Sequence, residues 1–196
     1  MKINKLIYIF FFYFIFLNNV YSIEPNIFVQ STVDRASKLL SNNISKKQKI
    51  DELQIIAKQT VDIKGIGFYT LGSFRKTLDQ DQKEKYLILF EKYFLKSFSS
   101  RLSEWTNPEI NVVSQKVLNK KYTIVNSVLK ETDERPEVKI DWRIYTKNSD
   151  KPLIRDVIIE GLSLARTQKE EFNSIITSSD NGIEGLFSNL KNFIEN

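Results

Sequence analysis

The chain has 196 residues, with 29 Lys and Arg against 24 Asp and Glu, a formal net charge of +5, and neither Cys nor His. Charges of both signs alternate along it, which describes solvated helix faces and argues against nucleic acid as a partner. The two missing residue types exclude disulfides, a thiolate nucleophile, an imidazole base and a zinc site of the usual ligand set. No cofactor is expected.

The first element is a leader. Lys2 and Lys5 precede an unbroken apolar and aromatic run from Leu6 to Leu17, and Val20 and Ser22 stand at −3 and −1 of a cut before Ile23. That layout predicts a secretory signal peptide over residues 1–22. The run is shorter than the ~20 apolar residues a bilayer span needs; an uncleaved anchor is the alternative reading. No Cys follows the run, so a lipoprotein anchor is excluded. Residues 23–196 then form one domain of ordinary size, with a net charge lowered to +3. An exported domain without Cys fits a bacterial periplasm.

From residue 26 to about 102 the pattern is helical. Val29, Val33, Ala36 and Leu40 share one helix face. Ser45 to Gln48 reads as a capping box for a helix carrying Leu53, Ile56 and Ala57. Asp62 to Leu71 reads as a short helix, weakened by Gly65 and Gly67. Asp79 caps a long helix to about Leu102, on which Tyr86, Phe90, Phe94, Phe98 and Leu102 recur every fourth residue.

After Pro108 the period changes to two. Residues 110–118, 121–131, 137–146 and 153–162 read as strands, separated by turns at Asn119-Lys120, Asp133 to Pro136 and Asn148 to Asp150. Val138, Ile140, Trp142 and Ile144 alternate with Lys139, Asp141, Arg143 and Tyr145, as in a half-buried strand. Two helices follow, near 164–177 and 181–194. The expected fold is α+β: an antiparallel four-stranded meander packed on one face against the N-terminal helices and the two C-terminal ones.

Two stretches carry a family resemblance. Leu71-Gly72-Ser73-Phe74-Arg75, with the aromatic helix after it, and Asp156-Val157-Ile158-Ile159-Glu160-Gly161-Leu162-Ser163-Leu164, with Phe172 beyond it, resemble the MlaC-type periplasmic phospholipid-binding proteins of the Mla pathway, also known as toluene-tolerance auxiliary proteins. The chain departs from that pattern at Thr167, Gln168 and Lys169, where the family usually has Asn-Tyr-Arg. The resemblance implies a non-enzymatic carrier with an apolar cavity between sheet and helices. It implies phospholipid as ligand, and two partners: an outer-membrane lipoprotein/porin complex, and an inner-membrane ABC-transporter complex with its substrate-binding component. Such a carrier would maintain outer-membrane lipid asymmetry.

The residues supply suitable walls. Phe68, Leu71, Phe74, Phe90, Phe94, Phe98 and Phe172 would line the helical side, and Val138, Ile140, Trp142, Ile144, Val157, Ile159, Leu162 and Leu164 the sheet side. Each buried CH₂ is worth about 0.8 kcal/mol, so lipid tails need such shielding in water. The same stripes equally describe a solid core, since periodicity predicts burial and not a void. Arg75, Lys76, Arg166 and Lys169 are candidates for an anionic headgroup or partner, or else are solvated.

An enzyme is the alternative from another class, of the small isomerase or hydratase type with a cone-shaped polar pocket. Asp141, Asp156, Glu160 and Tyr145 would be its acid/base groups. Residues four apart on a strand lie roughly 13 Å apart, too far for Asp156 and Glu160 to share a proton, so a salt bridge or helix cap suits them better. Ser163 fits an N-cap rather than a nucleophile, with no His to activate it.

Overall fold

A computed structural model describes residues 22–133 and 135–196; residues 1–21 of the expected leader lie outside the described residues. The element order is α1 (Pro25–Ser41), α2 (Lys46–Thr60), α3 (Ile63–Thr70), a 3₁₀ turn (Phe74–Lys76), α4 (Gln80–Leu102), β1 (Ile110–Asn119), β2 (Tyr122–Leu129), β3 (Val138–Tyr145), β4 (Leu153–Ile159), β5 (Leu162–Ser163), α5 (Leu164–Ser178) and α6 (Ile183–Glu195).

Local chemistry sets the helix starts. At α2, Ser45 Oγ accepts from the Gln48 N–H while the Gln48 side chain returns to the Ser45 N–H, and Asp79 and Gln82 repeat this capping box at α4. Asp62 caps α3 by accepting from the Gly65 N–H at 2.8 Å. The two glycines of α3 have a packing reason. A Cβ at Gly67 would lie 2.8 Å from Phe90 Cδ1, and one at Gly65 would lie 2.5 Å from the Arg155 guanidinium. Close approach of α3 to α4 and to β4 outweighs the helix propensity lost at these positions.

The strands form one open antiparallel sheet in the order β1-β2-β3-β4-β5. The expected four strands become five. Glu160 and Gly161 both take positive φ, 48° and 82°, and turn the chain back, so that Leu162 pairs with Ile159 and Ser163 with Ile158. The expected strand 153–162 therefore ends at Ile159. Residues facing one another in an antiparallel ladder share a face. One face carries Thr123, Val125, Ser127 and Leu129 of β2 opposite Ile144, Trp142, Ile140 and Val138 of β3. It continues on β4 with Val157 opposite Trp142 and Ile159 opposite Ile140. A bulge at Arg155 restores the phase, so that Ile154 stands opposite Ile144.

The helices lie mainly against this face, and the start of α5 also covers Asp156, opposite Arg143 on the other one. Close backbone approaches to the sheet come from α1 on β1 and β2, from α3 on β4, and from α5 on β4 and β5. The backbone of α4 approaches α2, α3 and α6. The free edge of β1 is partly paired by a side chain: Gln30 Oε1 accepts from the Val112 N–H at 2.8 Å, and Gln30 Nε2 donates to the Ile110 carbonyl at 3.1 Å. One core joins the layers, including Leu71, Tyr86, Phe90, Val125, Ile144, Phe172 and Leu190.

Candidate functional site

The inward face of the sheet is free of charge over its central strands. All four inward positions of β2, all four of β3, and Ile154, Val157 and Ile159 of β4 are apolar or small polar residues. Two of the polar groups pair within the face. Trp142 Nε1 donates to Ser127 Oγ at 2.8 Å, and Ser127 Oγ donates to the Ile140 carbonyl at 3.0 Å. The indole N–H is thereby paired, leaving the ring as apolar surface. Charged and hydrogen-bonding side chains of the same strands, Lys139, Asp141 and Arg143, take the opposite face.

Across from this wall stands an aromatic ladder. Tyr86 and Phe90 have ring centroids 5.7 Å apart, Phe90 and Phe94 6.1 Å, and Phe94 and Phe98 5.7 Å with planes 9° from parallel. Phe172 of α5 meets Phe90 edge-on at 6.2 Å. The buried end of the ladder is tied by a hydrogen bond between Tyr86 Oη and Thr70 Oγ1 at 2.7 Å, with the Thr70 hydroxyl also bonded to the Gly67 carbonyl. Burial pushes the Tyr86 phenol far above its ordinary range, against the opposing effect of the Thr70 bond. Tyr93 beside it is also raised, by burial first and by Glu171 second, while its hydroxyl donates to Gln168 Oε1 at 2.9 Å.

The expected lining residues sort into three groups. Leu71, Phe90, Ile140, Ile144 and Phe172 are fully buried. Phe68, Phe74, Phe94, Phe98, Trp142 and Val157 are half-buried and pack against the core cluster, and Val138 and Ile159 are half-buried on the inward face. Leu162 and Leu164 stand apart, 60 % and 45 % exposed. The reason is local. Leu162 lies just past the Glu160–Gly161 turn on a two-residue edge strand, and Leu164 is the first residue of α5, where Ala165 turns inward instead.

Between the layers, Ile144 and Phe172 lie in the buried core, while Phe94, Phe98, Trp142 and Val157 are half-buried and pack against it, so that this boundary between sheet and helices forms a seam. Two surface depressions lie elsewhere. One of 530 Å³ sits between α4 and α6 and is bordered by Asp81, Glu84, Lys85, Glu184 and Lys191; one of 400 Å³ sits between α2 and α4. Neither contains an expected lining residue, and charged rims of this kind do not suit a hydrocarbon chain. Seam residues that the four-residue repeat did not single out include Leu87, Leu89 and Ile175, whose only signal was apolar character beside the stripe.

The four acid/base candidates of the enzyme reading are each engaged structurally. Asp141 accepts from Asn126 Nδ2 at 2.7 Å, and Glu160 accepts from the Lys139 N–H across the hairpin. Tyr145 stacks between Tyr122, at 5.4 Å, and the Arg155 guanidinium, at 4.7 Å. Asp156 is buried. It accepts from Ser163 Oγ at 2.6 Å and from the Ala165 N–H at 3.0 Å, with Arg143 Nη1 at 3.7 Å. Ser163 Oγ in turn accepts from the Arg166 N–H at 3.1 Å, the N-cap its sequence position suggests. Among the basic candidates, Lys169 lies over the Tyr69 ring at 5.5 Å, and Arg75, Lys76 and Arg166 are exposed.

Among the described residues no helix is long and apolar enough to cross a membrane, and no group of three or more carboxylates is placed to hold a metal ion. Among solved structures, the fold is similar to that of a phospholipid-binding protein from Ralstonia solanacearum, solved in complex with a phospholipid. The match has a TM-score of 0.74 at 17 % sequence identity and covers 88 % of this chain and 98 % of that one. The sequence model of the family described as MlaC protein matches residues 30–192, from within α1 to within α6 and so across every element between them. This chain belongs to the MlaC family.

Proposed function

We propose that this chain is a non-enzymatic phospholipid carrier that holds acyl chains in the seam between the inward face of the sheet and the aromatic ladder of α4. The observation that carries the reading is the charge-free inward face of β2, β3 and β4 opposite a half-buried run of Phe94 and Phe98. Family membership and the phospholipid complex of the Ralstonia protein support it.

The chemistry is exchange of apolar contacts. When acyl chains part the two layers, each inward side chain trades a neighbouring side chain for a methylene group, so little apolar surface meets water in either state. A carrier needs that near-balance, because it must both load and unload. The part of the seam that opens is the half-buried part. Fully buried Phe90, Ile144 and Phe172 form the floor on which the layers stay joined.

The leader directs the chain to the periplasm, where it moves phospholipid between an outer-membrane lipoprotein/porin complex and an inner-membrane ABC-transporter complex. The lining is Phe68, Phe74, Phe94, Phe98, Val138, Trp142, Val157 and Ile159, above a floor that Leu71 and Ile140 share with Phe90, Ile144 and Phe172.

Val157→Arg and Val157→Trp test the reading. Val157 is half-buried, inward and opposite Trp142. Each variant is expected to lose most of its co-purifying phospholipid, with the Trp variant destabilised by no more than ~1–3 kcal/mol as an overpacked site. Wild-type lipid loading in a folded Val157→Arg protein would overturn the assignment of the seam.

A further inference from the structure

The β1–β2 hairpin differs from the rest of the sheet. Every residue from Val113 to Lys121 is exposed, so this arm leaves the cover of the helices. It carries Val113, Val117 and Leu118 at 66 %, 70 % and 47 % exposure. These three aliphatic side chains in six residues are largely exposed and take no part in the core cluster. Lys116, Lys120 and Lys121 are interleaved with them, and no Asp or Glu occurs between Ile110 and Lys130.

The neighbouring elements add to this end of the molecule. Tyr122 stands opposite Tyr145, so the β3–β4 connection lies beside the β1–β2 turn and brings Lys147 and Lys151 there, against the single carboxylate of Asp150. The Thr146 N–H donates to the Lys121 carbonyl at 2.8 Å, which fixes the two turns together. The start of the described chain is at the same end: the Ile23 N–H donates to the Ser149 carbonyl at 3.0 Å, and the Asn26 N–H to Gln115 Oε1 at 3.1 Å. Ile23 and Ile27 are exposed beside it. The nearby Glu24 accepts from Gln115 Nε2 at 3.4 Å, and the Asp62 carboxylate, behind Tyr122, is paired with Arg155.

We propose that this hairpin end is a peripheral docking surface for an anionic phospholipid bilayer. The lysines meet the negative headgroup layer, and Val117 and Leu118 at the tip enter the headgroup–acyl boundary. Interleaved aliphatic and cationic side chains with almost no carboxylate are what such a surface selects. Net charge alone would not do this, because residues 23–196 carry only +3 in all; it is the lysines gathered at one end that make the surface. The inference does not rest on the lipid seam: Val117 stands opposite Thr123 and so lies on the inward face, but at its exposed end.

The test is co-flotation of the purified protein with vesicles of pure phosphatidylcholine, or of phosphatidylcholine with one third phosphatidylglycerol, at low and high salt. Wild-type protein is expected to bind the anionic vesicles in preference to the neutral ones and to be released by salt. The combined variant Lys116→Gln/Lys120→Gln/Lys121→Gln, sharing the wild-type N-terminus, is expected to lose on the order of a hundredfold of that anionic-lipid affinity. Val117→Ser/Leu118→Ser is expected to weaken it severalfold. All five positions are exposed, so circular dichroism should be unchanged. A control with the same charge change on the helices, Lys38→Gln/Lys47→Gln/Lys92→Gln, should bind as wild type. Equal binding by the hairpin and control variants would overturn the proposal. So would a wild-type protein that ignores anionic vesicles, including one whose hairpin binds only an acidic protein.

Discussion

Asp156 ties three elements together from one buried carboxylate. It bonds the Ser163 hydroxyl and the Ala165 N–H at the start of α5 while Arg143 of β3 approaches from the side. Removing it strands two donors and an arginine. Asp156→Ala is expected to cost about 2–4 kcal/mol in urea unfolding, within the range for breaking a buried charged network. A cost below ~0.5 kcal/mol would show that α5 does not depend on this clasp. Most of the stretch from Asp156 to Leu164, one of the two that carried the family resemblance, thereby has a structural reason. The polar ones build the clasp and the turn, and the alternate Val157 and Ile159 face the seam. Tyr86 provides a pH test. Its phenol pKa is raised from 10.0 by burial, so folding favours the protonated form. That contribution is intact below pH 10 and is lost as pH rises from there towards the folded-state value. Unfolding free energy should therefore fall above pH 10, by up to about 1.4 kcal/mol per pH unit from this group. Tyr86→Phe should flatten that part of the slope, at a cost of about 1 kcal/mol at neutral pH for the lost Thr70 bond. An unchanged slope would remove Tyr86 as its source.

At the scale of elements, caps and periods were plain in the sequence while close approaches were not. Ser45, Asp62, Asp79 and Ser163 all cap the helices they precede, because capping needs only one side chain and a nearby N–H. The four-residue stripe of α4 was visible, but this helix packs on two sides. Leu95 and Ser99 are buried off the stripe, and the α4 backbone runs close to that of α2. A single stripe cannot announce a second neighbour. The glycines of α3 read as weak helix formers because their meaning lies in partners far along the chain. Gly67→Ala should therefore destabilise by about 1–3 kcal/mol through its clash with Phe90, although alanine favours an isolated helix by about 1 kcal/mol. A gain in stability would show that α3 and α4 part easily. The split of the last long strand depended on two positive-φ residues, of which only Gly161 signalled a change. Gly161→Val puts a β-branched residue at φ 82°, and is expected to cost on the order of 1–3 kcal/mol and to loosen β5. Thermal unfolding of the variant checks this.

For the whole molecule, the sequence made the layers legible and left the space between them undecided. Alternation in β3 and the stripe of α4 each state which face is buried, and the structure brings those faces together. Whether the faces enclose a ligand or one another depends on separation, which no periodicity encodes. The structure shows a buried core at Ile144 and Phe172, with Phe94, Phe98, Trp142 and Val157 half-buried against it. Leu162 and Leu164 fall outside it because a turn and a helix start intervene, both decided by local backbone geometry rather than by hydrophobicity. A seam of this kind is an apolar core that can yield along one boundary. The most direct measurement is native mass spectrometry of the protein purified from cells without added lipid, with the bound mass identified after extraction. The expected result is a folded chain carrying a stoichiometric phospholipid. A folded, monodisperse protein that carries none, and takes up none from vesicles, would contradict the proposal that acyl chains occupy the space between sheet and helices.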